Sequence, residues 1–125
     1  MNLNLANFSK KQLQSKKTGE LYSESIDLAS YLGFKSFRLY YETLAPKRRL
    51  SAPHSHSHKM ELLIVLSGEL HVYEGEKETL LGVGGLFSFL PNKAEFHYAQ
   101  NLTDQEVQVL ILSENDEDDS IRFEN

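Results

Sequence analysis

A chain of 125 residues with 40% apolar side chains is long enough for one domain with a modest core. It has no cysteine, which excludes disulfides, thiolate metal ligands and cysteine nucleophiles. A net charge of -5 argues against nucleic-acid binding, no apolar run reaches membrane-spanning length, and the start MNLNLANFSKK lacks a signal-peptide core, so a cytoplasmic protein with no membrane partner is expected.

Residues 1–30 read as an N-terminal arm, partly ordered. Its first twenty residues are polar and Lys-rich, with Leu3, Leu5 and Phe8 as the side chains able to dock it. Ser25 to Ala29 fits a short strand or a helical turn equally well. A β domain follows over 31–113. Phe37, Leu39, Tyr41 and Thr43 alternate with Arg38, Tyr40 and Glu42, the pattern of a half-buried strand. Ala45-Pro46 breaks it, because proline cannot donate to a ladder. Glu61 to Ser67 is apolar on both faces, as in a strand covered by two layers. Leu70 and Val72 alternate with His71 and Tyr73, Glu74 to Lys77 is a hairpin turn, and Thr79 to Val83 is a further strand. Leu86 to Leu90, Phe96 to Gln100 and Val107 to Leu112 complete the set, separated by Gly84-Gly85, Pro91-Asn92 and Asn101 to Asp104. Many short strands with little helical periodicity predict an all-β sandwich or barrel. Residues 114–125, opening on Glu114-Asn115-Asp116-Glu117-Asp118-Asp119, read as a solvated, mobile acidic tail.

The chemistry concentrates in Pro53-His54-Ser55-His56-Ser57-His58-Lys59-Met60-Glu61 and in His97. On an extended segment, His54 and His56 leave the same face about 7 Å apart at Cα, so both can reach one ion. Glu61 has the wrong parity for that straight strand and needs a turn over 57–59. It then starts the next strand on the face of Leu63 and Val65. A carboxylate aimed into an apolar interior is costly without a cation. His97, on a later strand, can close a set of three imidazoles and one carboxylate. Such a set suits one divalent ion, Zn, Ni, Mn, Fe or Cu, with affinity alone favouring Cu or Zn over Fe or Mn. The plainer readings are a polar surface loop, a tag-like HSHSH run, a satisfied core His97, and Glu61 paired with Lys59 or Arg49. The turn carries His58 to the rim, and His71 is given no role.

These residues resemble the cupin superfamily. Its first motif, G-x5-H-x-H-x3/4-E-x6-G, is matched from His54 through His56 and Glu61 to Gly68, with Arg48 at the place of the leading glycine. Its second motif, G-x5-P-x-G-x2-H-x3-N, is matched in part by Gly85, Pro91, His97 and Asn101. Lys93 replaces the second glycine, and one extra residue separates Pro91 from His97. That residue either loops out of the turn over 92–95 or slips the strand by one, which would turn Phe96 and Tyr98 inward and His97 outward. The polar turn and the intact interval from His97 to Asn101 favour the loop.

The resemblance implies a double-stranded β-helix, or jelly roll, with a metal inside the barrel on His54, His56, Glu61 and His97. It also implies a homodimer. The implied activities range from dioxygenases and sugar-phosphate isomerases to non-enzymatic sugar sensors. The expected function is therefore a metal-binding domain that binds or transforms a small polar metabolite. The alternatives are a non-enzymatic ligand-binding module and a structural barrel with a residual site. Candidate pocket walls are Tyr41, Tyr73, Phe87, Phe89 and Tyr98. A second apolar face on one strand, Leu62, Ile64 and Leu66, asks for a cover from a partner barrel or the docked arm.

Overall fold

The computed structural model describes residues 2–124. Its strands are β1 (Lys11–Gln14), β2 (Leu21–Asp27), β3 (Phe37–Leu44), β4 (His54–His56), β5 (Glu61–Ser67), β6 (Leu70–Glu74), β7 (Lys77–Leu81), β8 (Leu86–Phe89), β9 (His97–Gln100), β10 (Val107–Glu114) and β11 (Ile121–Phe123). Among the described residues one short α-helix, α1 (Leu28–Leu32), interrupts them, and a 3-10 turn over Leu5–Asn7 precedes β1. The strands form two antiparallel sheets, of order β1-β2-β3-β10-β5-β8 and β11-β4-β9-β6-β7. The all-β class expected from the strand pattern, in the jelly-roll form that the resemblance implies, is what the chain adopts. No helix among the described residues is long and apolar enough to cross a membrane.

The core lies between the sheets. Leu63 and Val65 on β5, Leu70 and Val72 on β6, and Val107 and Val109 on β10 are each at most 2% exposed. Their strict alternation is the period-two pattern of the sequence realised as one inward face. The hairpin joining β6 to β7 pairs Glu74 with Lys77, leaving Gly75 and Glu76 as its loop. Gly68 turns β5 into β6 at φ 84°, and a Cβ there would lie 2.9 Å from Val107 Cγ2. Gly68→Ala is expected to cost about 2–4 kcal/mol, the sum of left-handed strain and overpacking, read as a lower midpoint in urea.

The segment read as an arm is different in the structure. Residues 11–14 and 21–27 form β1 and β2, which extend the larger sheet beyond β3. Their sequences hide this because β1 is an edge strand with one half-buried residue, Leu13. The inward side chains of β2 are Ser23 and Ser25, buried against Glu42 rather than against apolar groups. The ambiguous stretch at 25–29 is both strand and helix. Asp27 ends β2 and accepts from the Ser30 N–H at 3.2 Å, opening α1, and Gly33 closes it at φ 83°.

Both faces of β3 are covered. Leu44 faces the barrel core, whereas Tyr41 faces outward and packs with Ile26, Leu28, Phe8 and Leu110 in a second cluster. The C-terminal stretch is likewise built in. β11 pairs with β4, and Glu124 N–H donates to the Pro53 carbonyl at 3.1 Å.

Candidate metal centre

β4 is three residues long and presents His54 and His56 on the barrel side, with Ser55 between them on the other. β5 begins at Glu61 and places it on the face of Leu63 and Val65, as its parity requires. On β9, Val72 stands opposite Ala99 and His54 opposite His97, so His97 shares the inward face. The extra residue before His97 is therefore absorbed in the turn, not in the strand. Asn92 takes the left-handed conformation there at φ 60°, and its N–H donates to the His56 carbonyl at 2.8 Å. Arg122 clamps the same turn, donating to the Ala94 carbonyl at 2.9 Å and lying over the Phe96 ring.

The four side chains converge. Glu61 Oε1 lies 3.0 Å from His56 Nε2, 3.3 Å from His97 Nε2 and 3.6 Å from His54 Nε2. One donor atom from each residue lies within 4.8 Å of all the others. None of these side chains is more than 20% exposed. Burial alone would raise the Glu61 carboxyl, but hydrogen bonds from His54, His56 and His97 outweigh it and hold the group well below the usual range. The Glu61 hydrogen bond raises His56 against its own desolvation, with Asp119 adding in the same direction.

The outer nitrogens are also engaged. His54 Nδ1 is 2.8 Å from the Ala52 carbonyl, and His56 Nδ1 is 2.8 Å from Asp119 Oδ2. A carbonyl or carboxylate accepts but does not donate, so these outer partners keep a proton on Nδ1, and the proton that Nε2 shares with Glu61 is the one a bound ion would displace to use the Nε2 lone pair. A desolvated carboxylate ringed by three imidazole Nε2 atoms is a donor set suited to a divalent cation. It leaves net charge about +1 on the complex and room for further ligands.

Beside the cluster lies a cavity of about 40 Å³, bordered by Leu50, Ser51, Leu63, Phe89, Ala99 and Ile111. That is room for a few water-sized groups. Of the expected walls, Phe89 and Tyr98 border this space. Phe89 stacks on the His97 ring at 4.1 Å between centroids. Tyr73 stacks on Tyr98 at 4.6 Å from the outer side, and Phe87 packs beside Phe89 against the core. Tyr41 is not a wall, because its parity on β3 sends it to the second cluster. His58 is exposed and pairs with Ser57, while His71 pairs with Glu78 at 2.6 Å.

Two buried acids escaped the sequence reading. Asp119 belongs to the acidic stretch taken as a tail, and it lies 63 residues from His56 along the chain, with no spacing signal to connect them. Burial pushes the Glu42 carboxyl up to about 7, with hydrogen bonds from Ser23 and Ser25 opposing. Glu42 faces inward but is remote from the cluster. It pairs with Val109, whereas Glu61 pairs with Ser113, four residues or ~13 Å further along β10.

The family model described as a cupin domain matches residues 40–113, more than half of the chain and all four converging residues. A solved structure named as a sugar phosphate isomerase from a cupin superfamily, from Silicibacter pomeroyi, is similar with TM-score 0.90 at 20% identity, over 100% of this chain and 82% of that one. A putative sugar phosphate isomerase from Acidithiobacillus ferrooxidans gives TM-score 0.85 at 16% identity, over 95% and 76%. A predicted oxalate decarboxylase from Thermotoga maritima gives 0.74 at 15%, over 91% and 98%. No curated protein matches the chain. At these identities the structures speak for the fold alone, but the family model, the double sheet and the two histidine-bearing motifs agree, and the chain belongs to the cupin family.

Proposed function

We propose that this cupin holds one divalent metal ion on His54, His56, Glu61 and His97 and binds or transforms a small polar metabolite beside it. The observation that carries the reading is the convergence of three Nε2 atoms on one desolvated carboxylate oxygen. A bound ion supplies Lewis acidity or oxygen activation at that point. The chain's own contribution is to fix the ligands, and to narrow the space with Leu63, Phe89 and Ile111 so that only a few polar atoms enter. The resemblance to structures named as sugar phosphate isomerases makes phosphorylated sugars the first substrate class to assay.

A non-catalytic ligand-binding module is the second reading. It is favoured by the cavity walls, which beyond the cluster carry no second carboxylate, lysine or histidine to act as a general acid or base. The test is metal analysis of protein purified without a histidine tag or a nickel column, followed by titration with Zn, Mn, Fe, Ni and Cu. Near-stoichiometric metal supports the site. Absence of binding to all five overturns it. Turnover of phosphorylated sugars by the metal-loaded protein then separates enzyme from binding module.

We also expect a homodimer. The outer face of the larger sheet carries Leu62, Ile64 and Leu112, with Leu66 40% and Leu86 61% exposed. α1 and Phe8 cover the β2–β3 side of that face, in a cluster that reaches Leu110 on β10. Light scattering at micromolar concentration should return twice the 14.3 kDa chain mass. A monomer mass would count against the partner.

A further inference from the structure

The geometry points to Asp119 as the positioning residue that locks His56 in its metal-ligating tautomer, an inference that rests on the metal reading of the site. Asp119 stands just before β11, outside the two motifs that carry the ligands. Its side chain is 5% exposed. Oδ2 is 2.8 Å from His56 Nδ1, while Oδ1 accepts from the backbone N–H groups of His58 at 2.9 Å and Lys59 at 3.0 Å. Both oxygens are engaged, so the carboxylate has one orientation. The chain around it is pinned as well. Ser57 N–H donates to the Ser120 carbonyl at 3.0 Å, Ser120 N–H donates to Ser57 Oγ at 2.8 Å, and Ile121 pairs with His56.

A fixed acceptor at Nδ1 decides which ring nitrogen is free. The proton on Nδ1 stays, so when an ion displaces the proton that Nε2 shares with Glu61 across 3.0 Å, the lone pair is left on Nε2. A carboxylate partner also makes the imidazole a better donor to an ion. His54 receives the same service from the Ala52 carbonyl, which no substitution removes. At His56 the acceptor is a side chain, so its contribution can be measured.

Asp119→Asn is the discriminating variant, because it keeps the size and one acceptor oxygen. That oxygen can still accept from His58 and Lys59, but the amide N–H₂ then faces His56 Nδ1. A donor there drives the ring proton to Nε2 and blocks the lone pair. Metal affinity, read by Co(II) and Zn(II) competition with a chromophoric chelator, should fall about ten- to a hundredfold. The visible Co(II) bands should shift, while the metal-free melting temperature changes little. A purely structural role predicts the reverse, a lower melting temperature with unchanged affinity and unchanged Co(II) bands. Asp119→Ala, which also strips the His58 and Lys59 caps, should lower both.

A second measurement needs no variant. In the Zn-loaded unchanged protein, ¹⁵N-labelled His56 should show metal on Nε2 and an exchange-protected proton on Nδ1. The inference is overturned if Asp119→Asn binds metal within about twofold of the unchanged protein, or if His56 ligates through Nδ1. If the unchanged protein binds no metal, the proposed function falls and takes this role with it. If it binds metal and the Asn variant binds equally, only the role of Asp119 falls.

Discussion

Glu61→Gln and His54→Ala should each lower metal affinity by more than about a hundredfold, beyond what loss of an outer hydrogen-bond partner costs, whereas His58→Ala should leave it nearly unchanged. Glu61 supplies the negative charge among three neutral imidazoles, and its Oε1 is the atom on which all three Nε2 atoms converge. Glutamine keeps the shape but removes the charge that offsets the cost of burying a cation. His58, two residues after His56, is exposed and turned to Ser57. The comparison separates an internal site from adventitious binding by the HSHSH run, since a tag-like site would lose affinity about equally in all three variants. Calorimetric titration with Zn(II) reads the difference directly. The Gln variant should at the same time be less stable near neutral pH without metal, because the carboxylate that His54, His56 and His97 hold ionised in the fold is gone.

Glu42→Gln should stabilise the protein at pH 8 by about 3 kcal/mol and much less at pH 5. Its carboxyl has an ordinary value of 4.5 and is pushed to about 7 by burial in the fold. The folded chain therefore holds a proton between those values that the unfolded chain has released. In that window the unfolded state binds fewer protons, so unfolding becomes easier as pH rises. The penalty is absent below about pH 4.5, grows through the window and is complete above about 7. Glutamine cannot ionise, and it can still accept from Ser23, whose hydroxyl donates to Glu42 at 2.8 Å. For a domain of this size the difference corresponds to about 10 °C in melting temperature at pH 8. Thermal melts of both proteins at pH 5 and pH 8 test this. A variant whose advantage does not grow with pH would show that Glu42 is already ionised, or solvated, in the fold.

Glu42 also illustrates why parts of the fold are hard to read. The strand β3 alternates cleanly in the sequence, and its position is correctly expected. Alternation alone, however, does not say which face is the barrel. Phe37, Leu39, Tyr41 and Thr43 look like the core side, yet it is Leu44 that enters the core, and Tyr41 packs outside with Ile26 and Leu28. Both faces of this strand are covered, so polarity ceases to mark the inside. For that reason Tyr41 reads as a pocket wall in the sequence, whereas it packs in the second cluster outside the barrel. β2, of which only the end from Ser25 reads as a possible strand, is obscured for the complementary reason. Its inward serines serve a buried carboxyl, and a serine on a strand carries no hydrophobic pattern.

The second motif of the family divides into separate tasks. His97 belongs to the converging cluster, while Asn101, fully buried, is a fastener. Its amide donates to the Leu44 carbonyl at 3.1 Å and to the Gln105 carbonyl at 2.7 Å, and its oxygen accepts from Thr103 N–H at 2.9 Å. That side chain ties the loop between β9 and β10 to the end of β3, and Thr103 and Lys47 add further hydrogen bonds to the loop.

The sequence by itself determined the strand set from Phe37 to Leu112, the jelly-roll class, the family, and the candidate set His54, His56, Glu61 and His97. Each rests on local information: period-two alternation, glycine and proline breaks, and ligand intervals within a short stretch. Tertiary structure alone decided what depends on pairing between distant segments. Whether the extra residue before His97 looped or slipped was settled by the register of β9 against β6 and β4. The arm became β1 and β2 because β3 offered an edge to pair with. The acidic stretch 114–119 came to carry a buried aspartate because β11 pairs with β4 and brings Asp119 to His56, across 63 residues. A lone carboxylate in a run of acids has no local pattern, and only the backbone hydrogen bonds of a distant strand select which one is buried.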